Sequence, residues 1–430
     1  MSAIPERFAA TGTDIAVSIT RAVALHRIGL RLDFGGRLDP GQLGRAVRLT
    51  LDAEPVLGCA FRTDAFKPYW SRLPDLDGAE FFSVTETADP TSAMNAFQAE
   101  EIDDAGPQVR VGLFRTPEDD LLGLKMSHVL ADGQAAKQYA YLLADTYTHL
   151  GRDAAYVPDS NLARRPSGRD VLEHLTAEQR RDAKKAKSWV NPTWEIPAKA
   201  DTGQGLTYLT LGIGPERFRA LKSYGVARGA TVNEVLLTAV FRACVRLFDP
   251  PTGVQHSLMC TADLRRYLPE PERLPISNIS ISGSLDIERV DGETFDQTLA
   301  RVRDSMAAWA KTCYGAGPAA NAEKLTTLGY QATKALLSAV FKLAGRSRKT
   351  YPWFTNIGVI DEAKLSFDGG RPRSGHMFGP ASRGPSVVPT ISTYRDTLTV
   401  CMGFCERDFD RAVVQHVLDG IECEIVAQVG

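Results

Sequence analysis

Between Val109 and Leu150 the apolar positions change period. Val109, Val111 and Leu113 alternate, "TPEDD" signals a turn, and Leu122, Leu124 and Met126 alternate again, with His128 continuing their face. Strict alternation on both sides of a turn predicts two antiparallel strands. After Asp132 and Gly133 the spacing becomes three and four, through Ala135, Ala136, Tyr139, Leu142, Leu143, Thr146 and Leu150, which predicts a helix from about Gln134 to about His149. The join between the two periods therefore carries a histidine at a strand end, with an aspartate and a glycine at a helix start.

The same reading orders the rest of the chain. "RIGLRLDFGG" predicts a strand and turn, and a helix starts near Asp39-Pro40 with Leu43, Val47 and Leu51 on one side. A strand near Val56 to Phe61 follows. From Gly151 to Gly205 the pattern breaks down around a charged helix, "TAEQRRDAKKAKSW". Beyond it come a strand from Leu206 to Leu211, a helix from Thr231 to Phe248 that Thr231 caps, and strands in "HSLMCTADL" and "SNISISGSLDI". Helices near 293–311 and 320–344, strands in "FTNIGVI", "VVPTIST" and "LTVCMGF", and a closing helix in "DRAVVQHVLDGIECEIVA" complete the chain. The two halves have similar element mixes and no short repeat. The expectation is a pair of related α/β sandwiches: residues 1–165 carrying the His-Asp-Gly join, a linker over 166–205, and residues 206–430.

Composition narrows the classes. At 430 residues the chain exceeds what one core usually organises, and 43% hydrophobic with 24% charged residues is ordinary for a globular protein. A net charge of −2 gives no global attraction to nucleic acid. The first residues lack a basic run followed by an apolar one, and no stretch reaches the roughly 18 apolar residues of a spanning helix, so a soluble cytoplasmic protein is expected. Seven scattered cysteines read as reduced core thiols; Cys401 and Cys405, four apart in a strand, would share a face as packing residues.

An imidazole titrates near neutrality, so His128, packed on one side and open on the other, suits a general base. Asp132 would either cap the helix behind it or pair with a cation from elsewhere, and Gly133 would let the backbone turn tightly. The plainer alternative is a satisfied core histidine, a routine cap and a turn residue. His128 and Asp132 straddle a strand-to-helix turn and no HExxH motif occurs, so no metal is expected. No GxSxG elbow, GxxxxGK[ST] loop or strand-linked GxGxxG occurs either, which leaves base chemistry without a resident cofactor.

"HVLADG" is HxxxDG, and its setting resembles the superfamily of chloramphenicol acetyltransferase, nonribosomal peptide condensation domains and coenzyme A-dependent alcohol acyltransferases. "TADLRRYLPEPERLPISNISIS" is similar to the family's Asp-Leu-Arg strand and the Asn-containing strand after it, "ATVNEVLLTAVFRAC" to the helix opening its second half, and "FTNIGVI" to its Ser-Asn-x-Gly strand. The resemblance implies two chloramphenicol acetyltransferase-like α/β sandwiches with an active-site tunnel between them. His128 would be the general base, Asp132 and Arg265 a structural ion pair, Gly133 part of the motif, and Ser127, Asn278 and Asn356 tunnel-lining residues.

It further implies transfer of an acyl group, without an acyl-enzyme, from acyl-CoA or an acyl carrier protein to a small-molecule hydroxyl or amine, in specialised metabolite or lipid biosynthesis. An amide-forming condensation-like enzyme and a non-catalytic module that recruits a carrier protein are the alternatives. Ser127 stands where condensation domains and wax ester synthases usually carry a second histidine, and "LSFDGGRP" is not the Asp-Phe-Gly-Trp-Gly of plant-type acyltransferases.

One further stretch, "KALLSAVFKLAGRSRK", places Leu336, Leu337, Val340, Phe341 and Leu343 on one side of a helix and Lys334, Lys342, Arg346, Arg348 and Lys349 on a basic flank. The plain reading is a helix packed on the second domain beside a solvated basic loop. The alternative is that Arg346, Arg348 and Lys349 attract donor phosphates or an acidic carrier protein, with weak membrane-surface contact as a further expectation.

Overall fold

The computed structural model describes residues 4–22, 24–186, 192–197, 205–269, 274–344, 349–382, 384 and 386–430. The two largest sheets among these residues organise the fold. A five-stranded sheet runs in the order Pro372–Phe378, Arg27–Phe34, Asp120–Ser127, Val109–Arg115, Phe82–Glu86. A larger one runs Ser280–Glu288, Gln255–Asp263, Trp353–Val359, Pro389–Tyr394, Thr397–Cys405, Ala381–Ser382, Ala24–Leu25, with Leu206–Ile213 also paired to Thr397–Cys405. The architecture is mixed α/β, as expected.

The predicted hairpin is Val109–Arg115 against Asp120–Ser127, with Val111 opposite Leu124 and Val109 opposite Met126. Its second strand is central and buried throughout. Leu122, Leu124 and Met126 pack with Leu43, Val47, Leu51, Tyr139 and Leu143, so the helices Pro40–Ala53 and Gly133–Arg152 cover that face. Leu121 joins a cluster with Met94, Phe97, Leu206, Tyr208 and Cys401 on the other. Burying each such aliphatic side chain stabilises the fold by about 1.5–3 kcal/mol. The first of these helices starts where Asp39 caps it, its Oδ1 2.7 Å from the Gln42 N–H, with Pro40 in the first turn.

Sheet membership crosses the division read from the sequence in both directions. Pro372–Phe378, from the second half, pairs with Arg27–Phe34, and Ala24–Leu25, from the first, pairs with Ala381–Ser382. The division at 165 and 206 stands as a proposal in which each part lends the other a strand.

Several local expectations change. Residues 55–58 form a 3-10 turn before the strand Cys59–Arg62, because Pro55 opens a tight turn where a strand was expected from Val56. The expected helix over 320–344 is two, Ala316–Leu325 and Tyr330–Ala344, parted by a 3-10 turn and by Gly329 at φ +83°. The second packs on the N-terminal helix Gly12–Ile19 through Leu337, near Ile15 and Ile19, and Leu336 is exposed. The linker holds two short helices, Gly168–His174 and Ala177–Ala183. Cys401 and Cys405 share one packed face, and Cys423 is exposed. No helix among the described residues is long and apolar enough to cross a membrane.

Candidate active site

His128 follows directly on the strand Asp120–Ser127. Ser127 is in register with Arg27, and the His128 N–H donates to His26 O at 2.9 Å, extending the ladder by one residue. The chain then turns back: the N–H groups of Leu130 and Ala131 both donate to Ser127 O, at 3.0 and 3.1 Å. This turn brings the Ala131 carbonyl to 2.8 Å from His128 Nδ1. A carbonyl only accepts, so Nδ1 carries the proton and the neutral ring keeps its lone pair on Nε2. Burial pulls the imidazole below its ordinary pKa of 6.5, against the opposing effects of the Ala131 carbonyl and the Asp132 charge. His128 is therefore a neutral imidazole of defined tautomer near pH 7.

Asp132 fills both roles that the sequence offered it. Its Oδ1 accepts from the Ala135 N–H at 2.9 Å and caps the helix Gly133–Arg152. Its Oδ2 accepts from Arg265 Nη1 at 2.7 Å and from the Ile279 N–H at 2.8 Å. Burial by itself would raise this carboxyl's pKa, but the Arg265 charge and three donors hold it below the usual range. Arg265 also reaches Asp263 and the Ser277 carbonyl. Burial opposes its charge, and the two aspartates overcome that and raise its pKa.

Gly133 differs from its expected role. Its backbone is not left-handed; a Cβ there would stand 2.9 Å from three side-chain atoms of Ile357, so glycine is required by the close approach of the strand Trp353–Val359. Lys137, one turn on, donates to the carbonyls of Ile357 and Val359 at 2.8 and 3.0 Å. Burial brings its amine down to about 8.

The other candidates fall in several places. Asn278 is buried, and its Nδ2 lies 2.6 Å from the His128 carbonyl, so it steadies the backbone under the imidazole. Ser127 is a correction: alternation places it opposite His128, it is fully buried, and its hydroxyl accepts from Arg21, so it lines no tunnel. The Asn356 amide bonds Asn233 and the Gly358 N–H. Lys349 lies 3.9 Å from Glu195, while Arg346 and Arg348, and the side chains of Phe341, Lys342 and Leu343, lie outside the described residues.

Two residues near the site escaped the sequence reading. His26 is the cross-strand neighbour of His128, with ring centroids 5.9 Å apart. Burial, then the nearness of His128, brings its pKa to about 3, and its Nε2 faces the Thr20 hydroxyl at 2.8 Å. Glu54 accepts from the Ile276 N–H at 3.0 Å and from Asn161 at 2.8 Å. Burial raises its carboxyl to about 7 against these bonds and the Arg165 charge. The register opposite His128 was the one available signal for His26; Glu54 had none, its main partner lying far along the chain.

No family model and no curated relative matches the sequence. Solved structures do match in shape over nearly the whole chain. The first condensation domain of the calcium-dependent antibiotic synthetase superposes at a TM-score of 0.73 with 18% identity, covering 100% of this chain and 98% of that one. The chain has the condensation-domain and coenzyme A-dependent acyltransferase fold. TRI3 trichothecene 15-O-acetyltransferase from Fusarium sporotrichioides matches at 0.75 with 13% identity over 99% and 96% of the two chains. The starter condensation domain of rhizomide synthetase RzmA, as a point mutant in complex with C8-CoA, matches at 0.69 with 15% identity over 99% and 95%.

Proposed function

We propose that the protein is an acyltransferase that moves an acyl group from a thioester donor, coenzyme A or a carrier-protein phosphopantetheine, to a hydroxyl or amine of a small molecule. The observation that carries this is the Ala131 carbonyl on His128 Nδ1, which leaves a basic lone pair on Nε2. In the proposed step Nε2 takes the proton of the acceptor's O–H or N–H as that atom attacks the thioester carbonyl. The tetrahedral oxyanion collapses, the carbon–sulfur bond breaks, and the proton on Nε2 passes to the departing thiolate. No acyl-enzyme forms. Asp132 and Arg265 hold the loop and stay out of the chemistry.

The fold is compatible with either product, since its neighbours include a 15-O-acetyltransferase and condensation domains. The amide-forming alternative draws support from the condensation domains, and the neighbour in complex with C8-CoA supports a coenzyme A donor. Arg346, Arg348 and Lys349 are proposed to attract donor phosphates, an attraction that salt would screen. A panel of short and long acyl-CoA and acyl-carrier thioesters against alcohols and amines, read by thiol release and product mass, tests the proposal. An ester or amide product with stoichiometric thiol supports it. Tight carrier-protein binding with no turnover on any pair would instead favour a recruiting module.

A further inference from the structure

The turn after His128 is held by a second buried ion pair besides Asp132 and Arg265. Arg165 places Nη1 2.6 Å and Nη2 3.1 Å from the two carboxylate oxygens of Asp14, and both side chains are buried. Its Nη2 also donates to the Leu130 carbonyl at 3.0 Å, and its Nε to the Ile276 carbonyl at 2.9 Å. Asp14 is anchored in turn: its Oδ2 accepts from Trp70 Nε1 at 2.8 Å and from the Thr11 N–H at 3.0 Å. One guanidinium thus ties the N-terminal helix, the turn after His128 and the second half of the chain.

The Leu130 carbonyl belongs to the rigid peptide plane that leads into Ala131. Arg165 holds this plane from one edge, while the Ala131 N–H holds it from the other through Ser127 O. On the far side of Ala131, Asp132 is held by Arg265. The carbonyl that sets the His128 tautomer is therefore bracketed by two buried arginines, one on each side.

We infer that Arg165, backed by Asp14, is a positioning residue for His128: it keeps the Ala131 carbonyl on Nδ1 and so keeps the basic lone pair on Nε2. The inference rests on the proposed role of His128 as general base. A purely structural ion pair would need only the bonds to Asp14 and Ile276; the donor placed on Leu130 acts on the turn itself.

Arg165→Gln, Arg165→Lys and Asp14→Asn, compared with the parent, test this through kcat, both KM values and the imidazole nitrogen shifts of 15N-histidine-labelled protein. Arg165→Gln is expected to lower kcat roughly 10- to 100-fold, with donor and acceptor KM within about twofold. The His128 signals should move from a single Nδ1–H tautomer toward a mixture. Arg165→Lys keeps the charge facing Asp14 but lacks the fork that also reaches Leu130, and should recover only part of the loss. Asp14→Asn should fall between parent and Arg165→Gln. Should Arg165→Gln fail to fold, Arg165→Lys decides. Parent-like kcat and an unchanged His128 spectrum in a folded Arg165 variant would overturn the inference and leave the general-base reading standing. A parent inactive on every donor and acceptor would overturn that reading, while the nitrogen spectrum, which needs no substrate, would still report on the positioning role.

Discussion

Asp132 and Arg265 stand 133 residues apart in sequence and 2.7 Å apart in space, both almost fully buried. Removing one partner of such a pair strands the other's charge, which typically costs about 3–5 kcal/mol. Asp132→Asn keeps a side-chain oxygen for the Ala135 cap, so the loss reports what Oδ2 holds, the Arg265 pairing together with the Ile279 N–H bond. Asp263, 3.1 Å from Arg265 Nη1, keeps part of that charge paired, so a fall in unfolding free energy of about 3 kcal/mol, the lower end of that range, is expected from denaturant titration. An unchanged melting temperature would leave Asp132 as a helix cap and nothing more.

Gly133→Ala sets two effects against each other. Gly133 is the first helical residue, where alanine stabilises by about 0.4–1 kcal/mol by restricting the unfolded chain, but its Cβ would meet three side-chain atoms of Ile357 at 2.9 Å. Such overpacking typically costs about 1–3 kcal/mol, and a β-branched neighbour has few rotamers in which to retreat. The expected net is destabilisation of about 1 kcal/mol, which should disappear when the same change is made in an Ile357→Ala background that lacks all three atoms. An equal cost of Gly133→Ala in both backgrounds would mean that the contact is not what excludes a side chain.

How much of this was legible in the sequence depended on how local the cause was. The hairpin, the helix starting at Asp132, the helix start near Asp39-Pro40 and the cap at Thr231 arise from neighbouring residues, and they stand where alternation and capping chemistry put them. Asp132 offered two partners, and the fold uses both. Gly133 was misassigned because the reason for it, Ile357, lies far along the chain, and Ser127 because alternation turns it away from His128. Arg165 and Glu54 gave no local signal, since each acts through partners that only the folded chain brings near; Asp14 has the local spacing of a capping box with Thr11, which says nothing of Arg165.

Glu54 links stability to pH. Its carboxyl sits at about 7 in the fold against an ordinary value near 4.5, so between these values the folded state binds more protons than the unfolded one. Stability from this group is therefore lost as pH rises from about 4.5 to about 7, by about 3 kcal/mol. The unfolding free energy of the parent minus that of Glu54→Gln should fall by about this amount between pH 4.5 and 7.5 and stay flat outside that window. A difference independent of pH would mean that the fold leaves the Glu54 carboxyl at its ordinary pKa.

His128 is held below its ordinary pKa chiefly by burial. As a base it works when neutral, so kcat/KM should fall as pH drops, with the midpoint of that acid limb below 6.5. A limb centred at or above 6.5 would place the working base on a different group.

The central claim is that His128 takes the acceptor's proton through Nε2. The most direct measurement is thiol release from an acyl thioester, in the presence of an acceptor that the parent uses, by His128→Ala protein whose circular dichroism and melting temperature match the parent. General-base catalysis contributes roughly 10²–10⁴-fold, and turnover is expected to fall by that factor. Undiminished thiol release and product formation in the folded variant would contradict the account.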